Sequence, residues 1–240
     1  MYQAFSCSPT RRMGVLAAVL VLAGCGGGGG EEASAPAVPL AAAFANFVNQ
    51  AASYQIAYAG TASTGGQQLP FSGSGAVTEA TTASTFNSVP ALRKNVIQTG
   101  QFQILVTSYP VTATSASYFD TNYAPLGNIS DDGYCVVTSH QPLPVTPRAG
   151  HSGFWFSSTC YSDASRTVQV GSASTSWVVE SDTATSARFK TITNLTDNTG
   201  TTGVSTLTTR VSTAGAITRL DESGTISQDG VTLRYTGTYQ

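Results

Sequence analysis

Alternation of apolar and polar residues is the feature that most constrains how this chain can fold. In the last third, strand-like segments are separated by short polar connections that contain Asp197–Gly200, Ala214–Gly215 and Asp229–Gly230. Connections of this length and composition favour the turns of β-hairpins. In the final segment Val231 and Leu233 share one face, and polar residues occupy the positions between and after them. One buried face and one hydrated face are typical of antiparallel strands.

One helix precedes the strands. Leu40–Ser53 places Leu40, Phe44, Phe47 and Val48 on a single apolar stripe with the 3.6-residue spacing of an amphipathic helix. The segments predicted as strands are Tyr54–Tyr58, Leu69–Glu79, Ala91–Gln98, Phe102–Ser108, Val111–Phe119, Tyr134–Ser139, Ser152–Tyr161, Thr167–Glu180, Ala187–Leu195, Val204–Ser212, Ala216–Ile226 and Val231–Tyr239. Helices do not alternate with these strands, which excludes a parallel α/β fold.

We therefore predict an all-β fold for a single domain over residues 40–240. An antiparallel meander would form a large curved sheet, a partly open barrel or a sandwich, with one short N-terminal helix. A barrel that spans a membrane is disfavoured, because the apolar positions are often Ala, Gly or Ser and aromatic girdles are not evident.

The N-terminus has the three zones of a secretory signal. Two arginines precede Met13–Leu22, an apolar stretch of ten residues, whereas a membrane-spanning helix needs about 20. The stretch ends in Leu22–Cys25 (LAGC), which resembles the lipobox of bacterial lipoproteins. In that family a diacylglycerol is attached to the Cys thiol and cleavage leaves this Cys as the first residue. The resemblance implies lipidation of Cys25, and several acyl chains together hold a protein stably on a membrane.

The signal would then cover residues 1–24, and residues 25–39 would be the lipidated cysteine and a flexible tether. Five consecutive glycines follow Cys25, and a Gly-rich chain of this length spans about 20 Å on average. Lipoproteins that stay on the inner membrane tend to carry Asp directly after the lipidated Cys. Gly26 stands there instead, so the resemblance implies an outer-membrane protein whose domain faces the periplasm or the cell surface.

Two of the four cysteines are left for the mature domain. Cys7 leaves with the signal and Cys25 is lipidated, so Cys135 and Cys160 remain. Exported proteins meet an oxidising environment that favours disulfides. A redox-active pair would favour Cys-x-x-Cys spacing beside a helix, and the two residues lack both features. We predict a structural disulfide between Cys135 and Cys160.

Charge and motif content argue against several kinds of partner. Acidic residues number 13 and basic residues 11, and no Lys/Arg patch is present, so we predict no nucleic-acid binding. Asp120–Asn122 and Asp197–Gly200 are fragments of a calcium loop that are better explained as Asx turns. A Gly-rich phosphate loop before a helix is also missing. We predict no metal and no cofactor.

Two histidines are the first candidates for a site. His140 and His151 flank a segment with three prolines, which reads as a loop. Together with Asp131, Asp132 or Asp163 they could form a site, or both could simply be exposed at the loop edges.

Two tryptophans are the other candidates for ligand contact. Trp155 lies between Phe154 and Phe156, and Trp177 lies in a later strand. Strict alternation would place the two phenylalanines on one face and Trp155 on the opposite face. Each indole would either pack in the core or contact a ligand from the surface.

Several segments, together with the Cys-polyglycine leader, resemble uncharacterised β-rich lipoproteins of Gram-negative bacteria. These segments are Tyr134–Ser139, Ser152–Phe156, Cys160–Asp163 and Trp177–Ala184. The resemblance implies no activity. Two hypotheses remain: a non-catalytic binding or structural domain with a protein or glycan partner, or a carrier of an apolar ligand or lipid in a cavity between sheet and helix. A large apolar cavity would favour the carrier. An enzyme is least favoured, because no acid–base constellation is evident.

We predict that Cys25→Ser abolishes incorporation of a radiolabelled fatty acid and changes membrane fractionation, because this thiol is the expected site of acylation. Metabolic labelling followed by precipitation of the protein measures it, with Cys7→Ser as the control that keeps the label. Labelling of Cys25→Ser at the wild-type level would contradict the lipobox interpretation.

Overall fold

The structure is a computed structural model that describes residues 36–131 and 133–240. The predicted signal, Cys25 and most of the tether lie outside the described residues. Within the described part, no helix has the length and apolarity needed to cross a membrane. The helix is α1 (Leu40–Asn49), and the strands are β1 (Ala52–Thr64), β2 (Gln67–Phe86), β3 (Val89–Ile104), β4 (Thr107–Phe119), β5 (Pro125–Ser130), β6 (Gly133–His140), β7 (Ser152–Tyr161), β8 (Gln169–Thr183), β9 (Ser186–Asp197), β10 (Thr202–Ser212), β11 (Ile217–Gln228) and β12 (Val231–Tyr239).

The strands form a closed antiparallel barrel in which each strand pairs with its neighbours in sequence. The ladder between β1 and β12 closes the barrel and runs from the pair Ile56–Tyr239 to the pair Thr64–Val231. The predicted all-β fold with one short helix is confirmed. The partly open barrel or sandwich is corrected to a fully closed barrel. Closure leaves no sheet edge with unpaired backbone groups.

Alternation along the long strands separates an inner wall from an outer wall. On β1, Ile56 and Tyr58 point inward and are buried, whereas Gln55, Ala57 and Ala59 point outward and are exposed. The same division holds on the neighbouring strands, where outward positions are mostly Ser, Thr, Ala or Gln. Apolar residues therefore gather inside the barrel, and the polar texture of the sequence covers its outside.

Several boundaries differ from the sequence prediction. The helix ends at Asn49, because the chain enters β1 at Ala52. Strand β5 was not predicted, since it contains a proline and a glycine and shows no alternation. Strand β3 joins the predicted segment Ala91–Gln98 to the start of the predicted segment Phe102–Ser108, which is wrong as a single strand because it crosses the β3–β4 turn and ends in β4. Gly100 lies opposite Gly75 on β2, and a Cβ at either position would overlap the facing backbone. The glycine pair therefore allows close strand approach and does not interrupt the strand.

Helix α1 plugs one end of the barrel. Its apolar stripe is buried, and the ring of Phe44 lies 4.9 Å from that of Trp155 and 5.6 Å from that of Phe119. The segment before the helix is fixed as well, since the Val38 N–H donates to the Pro147 carbonyl at 3.1 Å. Each large apolar side chain buried here contributes about 1.5–3 kcal/mol. The plug is therefore part of the core of the barrel.

A β-bulge on β7 changes the expected orientation of the aromatic run. The register with β8 shifts between Phe154 and Phe156. Both Trp155 and Phe156 are consequently buried, and their ring centroids are 5.2 Å apart. The prediction that Trp155 and Phe156 occupy opposite faces is wrong, because a bulge inserts one residue into the alternation. The extra inward ring is the one that packs against Phe44 of the helix.

A second small apolar cluster lies outside the barrel wall. The tip of the β2–β3 hairpin folds over β4–β6, so that the ring of Phe86 lies 4.7 Å from Tyr118 and 5.2 Å from Tyr134. The Tyr134 hydroxyl donates to Oδ1 of Asn87 at 2.6 Å. This contact buries an apolar patch on the outer surface and fixes the hairpin tip against the wall.

The predicted disulfide is confirmed. Cys135 on β6 and Cys160 on β7 are direct cross-strand partners, with Cα atoms 4.0 Å apart and a sequence separation of 25. The bridge faces the inside of the barrel. It joins two neighbouring strands across the long proline-containing connection between β6 and β7.

Unfolded, unreduced mature protein should expose no titratable thiol. The double variant Cys135→Ser/Cys160→Ser should unfold with a free energy about 3 kcal/mol lower than the wild type, because the bridge closes a long loop in the unfolded chain. Urea unfolding measures the difference. Two reactive thiols in the wild type, or equal stability of both proteins, would rule out a structural bridge.

Candidate functional site

The half of the barrel away from the helix contains open space. One cavity of about 450 Å³ is bounded by β1–β4 and β10–β12. A second cavity of about 490 Å³ is bounded mainly by β5–β12. They share Ser205, Ile226 and Leu233 as lining residues. We call the first the aromatic cavity and the second the disulfide cavity, because Cys135 and Cys160 line it. Together they occupy the lumen of the barrel. We call the end of the barrel that carries the β1–β2, β3–β4 and β11–β12 turns the mouth.

Aromatic rings line the wall of the aromatic cavity. The ring of Tyr58 lies 5.2 Å from Phe102 and 6.4 Å from Tyr235, and Phe71 lies 5.7 Å from Phe102. Tyr109 extends the set towards the mouth. Aliphatic side chains complete the wall, among them Val77, Val96, Val111, Ile226 and Leu233. The surface offered to a ligand is therefore mainly apolar.

Cross-strand glycines explain why these rings do not fill the lumen. Four of the five rings lie opposite a glycine on the neighbouring strand; the pairs are Gly60–Phe71, Gly73–Phe102, Gly224–Tyr235 and Gly237–Tyr58. A Cβ at Gly73 or Gly237 would stand 2.8 Å from the facing ring, and one at Gly60 or Gly224 would overlap it. Each of these four rings therefore lies flat over a glycine, against the wall. The centre of the barrel stays open as a result.

The disulfide cavity is open for a different reason. Its inward positions carry small residues, including Gly171, Ala173 and Gly203, beside Leu195 and the cystine. At its rim, Oδ1 of Asp197 accepts the backbone N–H groups of Thr199 and Thr201, both at 2.8 Å. This Asx arrangement confirms a turn at Asp197–Gly200 and holds the β9–β10 connection at the mouth.

A layer of charged and polar side chains forms the floor between helix and lumen. Nζ of Lys94 donates to the carbonyls of Phe47 and Gln50 at the end of α1, at 2.8 and 2.9 Å. It also pairs with Oε2 of Glu79 at 3.0 Å. The second oxygen of Glu79 pairs with the guanidinium of Arg219. All three side chains are almost fully buried.

The layer continues from Arg219 to the aromatic cavity. Arg219 donates to the hydroxyl of Tyr239 at 3.3 Å, and that hydroxyl donates to Glu222. Tyr58 also hydrogen-bonds Glu222 and accepts Nε2 of Gln98 at 2.8 Å. Two carboxylates and two cations therefore balance one another within a buried network. Balance of this kind is what makes buried charges tolerable.

Burial controls the proton affinities in the floor layer. Burial lowers the pKa of Lys94, and the Glu79 carboxylate opposes that shift. Burial raises the pKa of Tyr58, and the Glu222 carboxylate raises it further. For Tyr239, burial is again the main cause of a raised pKa. Both phenols therefore stay protonated and act as hydrogen-bond donors towards Glu222.

The structure does not bring the predicted histidine site together. His140 ends β6 and His151 precedes β7, both exposed at the helix end of the barrel. Asp131 lies at the other end of β6, where it accepts the Thr114 hydroxyl at 2.8 Å. Asp163 likewise follows β7 at the mouth, and Asp132 is not among the described residues. Within residues 36–131 and 133–240, no group of three or more His, Cys, Asp or Glu could hold a metal ion.

The two tryptophans belong to the core around the helix. Trp155 and Trp177 are buried in the same apolar cluster as Phe44 and Phe47. Trp155 lines a small cavity of about 50 Å³ beside the helix. Both residues lie outside the sets that line the two larger cavities.

Sequence reasoning missed the charged residues of the floor, although a signal was present. Glu79 is in phase with Val77 on β2, and Lys94 is in phase with Val96 on β3. A charged residue at an inward position of an alternating strand indicates a buried ion pair. That Glu79 and Lys94 pair with each other could not be predicted without the register between β2 and β3.

Glu79→Gln should lower the free energy of unfolding by about 3–5 kcal/mol, since it leaves Lys94 and Arg219 buried without their counterion. Glu180→Gln is the matched control. Glu180 pairs with Lys190 at 2.7 Å on the exposed outer wall, so its loss should cost below about 1 kcal/mol. Urea unfolding compares the two, and equal losses would contradict the role given to the floor.

Comparisons with known proteins leave this geometry without a named relative. No protein-family model matches the chain, and neither a curated protein nor a solved structure matches it significantly. The resemblance of the sequence to uncharacterised β-rich lipoproteins therefore stays a prediction.

Proposed function

We propose that this protein is a lipid-anchored binding protein of the bacterial outer membrane that takes up a small apolar or amphiphilic molecule in the barrel lumen. The observation that carries the proposal is the pair of adjoining cavities of about 450 and 490 Å³. Binding sites for small molecules are typically concave, mostly apolar and about 300–1,000 Å³ in volume. The carrier hypothesis is therefore preferred over a domain that binds only through its outer surface.

The two ends of the lumen differ in a way that supports one entrance. At one end α1 and the floor layer fill the barrel. At the other end, exposed apolar side chains gather around the mouth: Leu69, Leu105, Val106, Tyr109 and Val231. Val106 at the β3–β4 turn is 94% exposed. An apolar rim lowers the cost of moving an apolar molecule from its source into the lumen.

The polar side chains around the lumen favour a binding function over catalysis. The polar groups at the floor are bound to one another by hydrogen bonds and ion pairs. Both histidines are exposed at the helix end of the barrel, away from the two cavities. A carrier needs shape and apolar area, and the aromatic cavity supplies both.

Binding of N-phenyl-1-naphthylamine, a neutral apolar fluorescent probe, tests the proposal. Wild-type protein should bind it with increased probe fluorescence. Ala62→Phe combined with Ala113→Phe should weaken binding at least about tenfold, or 1.4 kcal/mol, because both residues line the aromatic cavity. Ala59→Phe is the matched control, since Ala59 is exposed on the outer face of the same strand as Ala62. Absence of binding by the wild type, or equal binding by all three proteins, would overturn the proposal.

A further inference from the structure

We infer that the aromatic cavity selects a cationic amphiphile, with the positive head group at Glu222 and the apolar chain directed towards the mouth. This inference rests on the proposed function and names the class of ligand. It follows from the way charge is distributed along the barrel axis, and from the rings around the floor of the cavity.

The charges of the floor are sorted by position. Lys94 borders the small cavity on the helix side, and its ammonium is held by helix carbonyls and by Glu79. Arg219 borders both sides but is paired with Glu79. Glu222 borders the aromatic cavity. The network is neutral as a whole, and of its two carboxylates Glu222 is the one that lines the aromatic cavity, beside Arg219.

The charged residues of the disulfide cavity are negative, as Glu222 is. Among the described residues that line the disulfide cavity, the charged ones are Asp197 and Asp229. The aromatic cavity has Glu222 and the paired Arg219. Because apolar walls lower the local dielectric constant, the buried Glu222 acts on a ligand more strongly than it would in water, whereas Asp197 and the exposed Asp229 act from the rim. Within the described part of the chain, the carboxylates that line the two cavities outnumber the one cation that lines them, Arg219, so the lumen favours a positive ligand over an anion.

The rings beside Glu222 suit a cation as well. Tyr58 hydrogen-bonds Glu222, and its ring centroid lies 5.2 Å from Phe102 and 6.4 Å from Tyr235. Faces of aromatic rings attract ammonium groups, and several rings around one carboxylate favour alkylated ammonium groups in particular. Arg219 already makes such a contact, with its guanidinium carbon 5.2 Å from the ring centroid of Tyr239. The wall above, with Val111, Ile226 and Leu233, then accepts an alkyl chain.

Three amphiphiles with different head groups on a straight chain of eight carbons test the inference: octyltrimethylammonium, octanoate (whose eighth chain carbon is the carboxylate carbon) and 1-octanol. Each compound, kept below the concentration at which it aggregates, competes with N-phenyl-1-naphthylamine for the wild-type protein, and the loss of probe fluorescence gives its affinity. The cation should bind at least about tenfold more tightly than octanoate, with octanol between them. Glu222→Gln should remove most of the preference for the cation over octanol. Asp221→Asn, which removes one negative charge from the outer face of the same strand, should keep it.

The outcomes separate the two proposals. If the probe and all three compounds fail to bind, the proposed function is wrong. If the probe binds and the three compounds bind equally, or octanoate binds best, the cation selectivity is overturned and the binding function stands. Thermal unfolding checks that Glu222→Gln is folded. If it is not, Phe102→Leu replaces it, and it should weaken octyltrimethylammonium binding more than octanol binding. Equal weakening would overturn the inference.

Discussion

The contact between Lys94 and the end of the helix is the interaction on which the rest of the structure depends. A cation at a helix C-terminus meets the unpaired carbonyls and the negative end of the helix dipole. Here the same ammonium is bound to Glu79, which in turn holds Arg219. The Thr81 hydroxyl adds a hydrogen bond to the carbonyl of Val48. The helix is thereby joined to β2, β3 and β11, so the plug and the barrel wall stabilise each other.

The layer of Lys94, Glu79 and Arg219 divides the barrel into two halves with different packing. On the helix side, Phe44, Trp155 and Phe189 project to the centre and fill it. On the mouth side, the aromatic rings lie over cross-strand glycines and leave the centre open. The same residue types therefore give a packed core in one half and a lined cavity in the other. The difference comes from the residue that stands opposite each ring.

The all-β fold, the helix and the disulfide could be predicted from the sequence, because each depends on a local pattern or on elimination among few residues. Closure could not, since the β1–β12 pairing joins the two ends of the domain and leaves no local signal. Trp155 was assigned by alternation, which a bulge overrides. The floor was missed for a related reason: Glu79, Lys94 and Arg219 are far apart in sequence and meet only through the register of the ladders.

The position at which the chain enters the barrel gives the molecule a direction. Val38 is bound to Pro147, and Pro39 lies beside Gly215, so the segment before the helix leaves from the plugged end. Under the proposed lipidation of Cys25, the point of attachment to a membrane would therefore lie at the plugged end of the barrel. The mouth is the end farther from that point, so a ligand would enter the lumen opposite to the side from which the domain is held.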